Sequence, residues 1–128
     1  MAYHGNNFIG SQLSADGGKL IYGFDPRNGK KLDQAFHEAT SQEIDRAFSL
    51  AETAFPSLRE MTAETISGFL EAIAAEIEAL GDELLDRAST ESGLPKDRLT
   101  GERGRTVGQL RMFASDVREG SFVEARID

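Results

Sequence analysis

The sequence contains no cysteine and no tryptophan, and only two of its 128 residues are histidines. Without cysteine, the chain has no disulfide bond, no thiolate nucleophile and no cysteine-based metal site. The two histidines, His4 and His37, are too few and too far apart in sequence to indicate a zinc site. These absences exclude thiol chemistry from this stretch of polypeptide, and nothing in its histidines suggests a zinc site.

Long apolar runs and an excess of positive charge are also missing. No stretch approaches the roughly 20 apolar residues needed to cross a bilayer, and the polar residues 1–5 do not resemble a signal peptide. Twenty-two acidic residues against fourteen basic ones give a net charge of −8, which argues against nucleic acid or an anionic membrane as a partner. We therefore expect a cytoplasmic protein with neither kind of partner.

The amino-terminal part of the chain predicts short strands joined by turns. Residues 20–22 are apolar and follow Asp-Gly-Gly at 16–18, a turn signal of the hairpin type. Residues 25–29 form a second turn signal, since proline suits the second position of a turn and Asn-Gly suits its end. The turn leads into a second strand segment from Leu32 to Phe36. We predict two hairpins of an antiparallel edge sheet.

The rest of the chain predicts helices, because apolar residues recur at three-and-four spacing. Residues 40–43 match a capping box that begins the first helix, and Pro56 is expected to end it. Thr62 can cap the second helix, and Gly81 suits the left-handed position just after it. The expected apolar stripes are Ile44, Ala47, Phe48, Ala51, Ala54 and Phe55 in the first helix, and Ile66, Phe69, Leu70, Ile73, Ile77 and Leu80 in the second.

A third and a fourth helix follow. Asp82 can cap the third, which Gly93 and Pro95 end. The fourth is expected from about Lys96 to Arg118. The predicted stripes are Leu84, Leu85 and Ala88 in the third helix, and Leu99, Thr106, Val107, Leu110, Phe113 and Val117 in the fourth.

The fourth helix is unusual in its glycines, Gly101, Gly104 and Gly108. Each costs a helix about 1 kcal/mol relative to alanine, so we expect another helix or a sheet to pack closely against the backbone there. A phosphate-binding loop is excluded, because the sequence has neither G-x-G-x-x-G after a strand nor a G-K-[ST] ending.

The same helix is locally basic, with arginines at positions 98, 103, 105 and 111. The simple interpretation is that these arginines are solvated or paired with nearby acids, namely Asp97, Glu102 and Asp116. Arg105, Gln109 and Met112, however, share a second face at i, i+4 and i+7, distinct from the apolar stripe. Because arginine presents a planar fork to carboxylates, such a face is able to line a cavity for an anionic ligand.

Four motifs stand out along the chain: the F-x-P-x-x-G turn at 24–29, the E-x-G-x-P helix stop at 91–95, the G-R-T-x-G-Q-L-R run at 104–111, and L-R-M-F-A at 110–114. Taken together, they resemble the amino-terminal portion of NAD(P)-dependent aldehyde dehydrogenases, in which the last motif has the pattern L-R-aromatic-aromatic-A. The 104–111 run resembles the branch that oxidises 2-oxoglutarate semialdehyde (2,5-dioxopentanoate).

The resemblance implies an α/β fold that is mostly helical in this fragment, with hairpin elements followed by about four helices. Residues 1–128 are then the amino-terminal part of an NAD(P)-binding domain, with a strand and turn segment at 1–38 and a helical segment at 39–128. Its parallel sheet lies outside the sequence. We therefore expect exposed apolar surface, with self-association or molten behaviour of the segment alone. The helices from Ser41 and Thr62 are expected to bury their stripes only against each other or against a second copy.

The resemblance also implies chemistry. In this family a cysteine attacks the aldehyde, NAD or NADP accepts a hydride, and water activated by a glutamate releases the acid. These residues and those that bind the cofactor are expected beyond this chain, which alone should be inactive. The family's corresponding helix borders the aldehyde tunnel, so Arg105, Gln109 and Met112 are implied to bind substrate, with Arg105 at its distal carboxylate. The parent is expected to be a homodimer or homotetramer.

Two other readings remain open from the residues alone. A small helical interaction domain needs only amphipathic helices, and a self-contained binding module for an acidic metabolite needs only the arginine-bearing face. The hairpins with the turn at 24–29 favour the dehydrogenase, because a helical adaptor has no need of them.

Overall fold

The computed structural model describes residues 4–123, which form two β-hairpins followed by four α-helices. This confirms the predicted fold class. The strands are β1 (Asn7–Ile9), β2 (Gln12–Ser14), β3 (Leu20–Asp25) and β4 (Lys30–His37). The helices are α1 (Ser41–Arg59), α2 (Ala63–Ala79), α3 (Gly81–Ser92) and α4 (Lys96–Glu119), followed by a 3-10 turn at Ser121–Val123.

The chain divides into two compact units. The first runs through Glu60 and includes Thr90–Gly93, and the second contains Met61–Ser89 and the chain from Leu94 onward. Among residues 4–123, no helix combines the length and the apolar character needed to span a membrane.

The hairpins of the first unit form two separate two-stranded sheets, β1 with β2 and β3 with β4, and both pairings are antiparallel. The turn predicted at 25–29 is confirmed, because the Gly29 N–H donates to the Asp25 carbonyl at 2.8 Å and Gly29 adopts a φ of 69°. The hairpin predicted at Asp-Gly-Gly 16–18 is wrong. Those residues link β2 to β3, which lie in different sheets, because β2 already pairs with β1.

The capping box at the start of α1 is confirmed and extends further than the sequence predicted. Thr40 Oγ1 accepts from the Glu43 N–H at 3.2 Å, and Glu43 Oε2 accepts from the Thr40 N–H at 2.8 Å. The other carboxylate oxygen of Glu43 accepts from the Asp16 N–H at 3.2 Å. Glu43 is only 1% exposed, so this buried carboxylate joins the β2–β3 linker to the first turn of α1.

The carboxylate of Glu43 predicts a pH dependence of stability. Hydrogen bonds from the Ser14 hydroxyl and the Thr40 and Asp16 backbone lower its pKa from 4.5 to about 2. A carboxyl with a depressed pKa stabilises the fold above its unfolded pKa, and this contribution is lost as the pH falls from 4.5 through about 2. Glu43→Gln should therefore lower the urea midpoint at pH 7, and its deficit relative to the native chain should shrink toward pH 2. An equal deficit at all pH values, or the same effect from Glu52→Gln at an exposed site on α1, would contradict this role.

Helix α1 passes through Pro56 and ends at Arg59, so the predicted stop at Pro56 is wrong. Proline lacks an N–H and removes the bond to the carbonyl four residues earlier. Pro56 stands within one turn of the end of α1, and the loss of this bond leaves the last residues helical.

The apolar side chains of α1 are exposed, which confirms the expected exposed apolar surface. Phe48 is 72% exposed, Phe55 58% and Ile44 45%. The predicted apolar face of this helix is therefore exposed in the described chain, and Glu43 is the one residue of α1 that is buried. Self-association through such a surface stays a prediction.

Helix α2 packs on α4 through small side chains, which was not the partner we expected. Ala74 of α2 and Ala114 of α4 are fully buried, and Ser67 and Val107 also lie in this contact region of each helix. Small residues bring two helix backbones close together. The predicted stripe positions Phe69, Thr106 and Phe113 are exposed instead. The buried face of α4 runs through Leu99, Arg103, Val107, Leu110, Ala114 and Val117.

Candidate functional site

Arg105, Gln109 and Met112 lie together on one exposed face of α4. Successive helical residues are rotated by about 100°, so these positions point away from the side on which Val107 and Ala114 are buried. The sequence therefore placed the three side chains on one face correctly, while their role in binding stays a prediction. Open grooves of about 380 and 340 Å³ along α2, α3 and α4 are lined by other residues.

The other arginines of α4 are engaged. Arg98 pairs with Glu102 at 3.2 Å, as the nearby-acid interpretation predicted. Arg111 binds Glu78 through both guanidinium nitrogens, at 3.0 and 2.6 Å, and this carboxylate raises the pKa of Arg111. Near the end of the helix, Arg118 contacts Glu64 and Glu71.

Arg103 has a structural role that the sequence analysis missed. It is half-buried, and its guanidinium donates to the Gly81 carbonyl at the start of α3 at 2.9 Å. The signal was present in the spacing, because Arg103 stands four residues after Leu99 and four before Val107, on the stripe that packs inward.

The side chain of Arg105 makes no hydrogen bond or ion pair with any residue in the range 4–123, and the same holds for the side chain of Gln109. The next acid along their row is Asp116, eleven residues or about 16 Å along the helix from Arg105. The guanidinium fork of Arg105 is therefore available to a carboxylate from elsewhere, and arginine binds carboxylates through two parallel hydrogen bonds.

The three glycines of α4 lie beside Arg105 on the exposed side of the helix. A Cβ atom added at Gly101, Gly104 or Gly108 would meet nothing within 4 Å. The close packing that we expected there is therefore not found among the described residues, because α2 contacts the opposite side of α4. Gly101 and Gly108 flank Arg105 at i−4 and i+3 and leave its side chain unobstructed.

The open space around these glycines predicts that alanine in their place increases the stability of the chain. In the 128-residue chain, Gly104→Ala should raise the free energy of unfolding by about 1 kcal/mol, because alanine is the better helix former and meets no neighbour. Gly68→Ala, at an equally open position in α2, is the matched control. Urea denaturation followed by far-UV circular dichroism measures both. A destabilised Gly104→Ala beside a stabilised Gly68→Ala would show that the α4 backbone is covered.

The amino terminus of α1 does not suit the phosphates of a dinucleotide. The helix that directly follows a strand is α1, and the Glu43 carboxylate already accepts the Thr40 N–H at its amino terminus. A second negative group is disfavoured at such a position. In the same part of the chain, no cluster of three or more His, Asp or Glu side chains is arranged to hold a metal ion.

The amino-acid sequence of the chain is similar to those of known proteins along nearly its whole length. The chain is 46% identical over its full length to the alpha-ketoglutaric semialdehyde dehydrogenase 2 of Azospirillum brasilense. It is 39% identical, over 98% of its length, to the alpha-ketoglutaric semialdehyde dehydrogenase of Acinetobacter baylyi. The chain spans about a quarter of each relative, 25% and 24% respectively. The profile of the aldehyde dehydrogenase family matches residues 13–125, and the chain belongs to that family.

Proposed function

We propose that this sequence is the amino-terminal segment of an NAD(P)-dependent aldehyde dehydrogenase that oxidises a short ω-oxo acid, such as 2-oxoglutarate semialdehyde, to the carboxylic acid. The names of the two relatives support the substrate class. The structural observation that carries it is Arg105 on an exposed face of α4, whose side chain has no partner among residues 4–123, whereas Arg98, Arg103, Arg111 and Arg118 are engaged.

The exposed face of α4 suits a substrate with one charged end. Arg105 binds the distal carboxylate, and Met112, 48% exposed and about two turns further along, offers an apolar surface to the carbon chain. The acidic side chain of Asp116 beyond Met112 disfavours a carboxylate at that end. The substrate is therefore oriented along the helix, with its carboxylate at the Arg105 end.

The oxidation itself requires groups that this sequence does not contain. With no cysteine, it has no thiolate to attack the aldehyde, and the 128-residue chain by itself is expected to be inactive. NAD or NADP supplies the hydride acceptor when bound, through residues outside this sequence. The complete protein is expected to act in the cytoplasm as a homodimer or homotetramer.

A substrate panel tests this function. The full-length protein is assayed with 2,5-dioxopentanoate and with pentanal, a neutral aldehyde of equal length, and formation of NADH or NADPH is followed by absorbance. We expect kcat/KM to be at least about tenfold higher for the acid, the scale of a charge-assisted hydrogen bond. Equal values for the two aldehydes would contradict an anionic-substrate site, and no reduced cofactor with any aldehyde would contradict the dehydrogenase.

A further inference from the structure

The exposed face of α4 carries a second hydrogen-bond donor beside Arg105. Gln109 stands one turn further along, at i+4, where helical side chains are about 6 Å apart at Cβ. Its amide makes no hydrogen bond within the described chain and offers two N–H donors and one oxygen acceptor. A cation and a neutral donor therefore lie side by side, and neither side chain has a partner in the part of the chain that the structure describes.

No other residue of this face supplies a neutral donor next to Arg105. The Thr106 hydroxyl already donates to the Glu102 carbonyl at 3.0 Å. Glu102 itself is paired with Arg98. Met112 and Phe113, both about half exposed, have no N–H or O–H to give, and the flanking glycines have no side chain.

A 2-oxo acid has two neighbouring hydrogen-bond acceptors that match the neighbouring donors Arg105 and Gln109. Its carboxylate is followed at once by a ketone oxygen, and neither group donates a hydrogen bond. We propose that Gln109 is a specificity-determining residue whose side-chain amide donates to the C2 ketone oxygen of an aldehyde substrate that Arg105 holds by its carboxylate. This inference rests on the proposed function and adds to it the recognition of a 2-oxo acid over a simple ω-oxo acid.

Two substrates of equal length separate this role from general carboxylate binding. 2,5-Dioxopentanoate and 5-oxopentanoate share the carboxylate and the aldehyde and differ only at C2, where the second has a methylene. In the complete dehydrogenase, Gln109→Leu removes the donor while keeping a helix-compatible side chain. We expect kcat/KM for 2,5-dioxopentanoate to fall about three- to tenfold, the scale of one neutral hydrogen bond, with 5-oxopentanoate changed by less than about twofold.

Further variants make the result decisive. Gln109→Glu places a negative charge beside the carboxylate of both substrates and should weaken both. Gln42→Leu, at an exposed position on α1, should change neither. Equal losses on both substrates with Gln109→Leu, or no loss on either, would overturn the role of Gln109. If 2,5-dioxopentanoate is still preferred over pentanal in those cases, the proposed function stands while this inference fails. Thermal melts of each variant identify any loss of folding.

Discussion

Replacing Arg105 with methionine should lower kcat/KM of the complete dehydrogenase for 2,5-dioxopentanoate by about ten- to a hundredfold. The substitution removes a charge-assisted hydrogen bond to the distal carboxylate, and such bonds are about twice as strong as neutral ones. Pentanal should be spared or even improved, because an unpaired guanidinium is unfavourable beside an alkyl chain. Steady-state kinetics on the two aldehydes measures the effect, and equal losses on both would assign Arg105 a structural role.

Arg111 provides the matched control on the same helix. Its guanidinium is bound to Glu78 at 2.6 and 3.0 Å, so it is not free to take a substrate carboxylate. Arg111→Met should therefore change the two aldehydes alike and act mainly on stability. A selective loss on the acid with Arg111→Met, together with none for Arg105→Met, would move the carboxylate site to the other side of α4.

The largest effect on stability is expected from filling the contact between α2 and α4. Ala74 is 0% exposed, so leucine at this position has no space and must push the helices apart. Overpacking of this kind costs about 1–3 kcal/mol. Ala75→Leu, at the neighbouring exposed position, should be nearly neutral because its side chain points to solvent.

Urea unfolding of the 128-residue chain, followed by circular dichroism, compares these two variants. We expect a clear drop in the midpoint for Ala74→Leu and almost none for Ala75→Leu. Matching midpoints would mean that α2 and α4 do not pack through Ala74 in solution, and that the exposed apolar surfaces dominate the state of the chain.

Several ends of helices could be predicted from the sequence because their causes are local, although the end of α1 was wrongly placed at Pro56. Thr40 and Glu43 lie three residues apart and cap each other, and the left-handed φ values of 57° and 73° at Gly81 and Gly93 are of the kind that glycine adopts most readily. The partner of each apolar stripe could not be predicted. An amphipathic pattern shows that a face is suited to burial and leaves open what covers it. The apolar face of α1 is exposed, and α2 packs on α4, although the expected partners of α2 were α1 or a second copy.

The candidate site could also be predicted in part, because the face on which a helical residue lies depends only on local sequence spacing. Helical periodicity places Arg105, Gln109 and Met112 on one face without any knowledge of the rest of the chain. Which arginines are engaged depends on contacts distant in sequence. Arg103 binds the Gly81 carbonyl, 22 residues earlier in the sequence, and Arg111 binds Glu78, 33 residues earlier. No local sequence pattern predicts such pairings.

The buried carboxylate of Glu43 at the start of α1 also affects how fast the amide hydrogens of this helix exchange with solvent. Because almost no side chain of this helix is buried beyond Glu43, the helix is held against opening mainly by the capping hydrogen bonds of its first turn. Protection against exchange with deuterated water should then decline along the helix, from slow amides near Glu43 to fast ones after Pro56, where a backbone bond is missing. Helix α1 is thus expected to open from its carboxyl end and to close again on the turn held by Glu43.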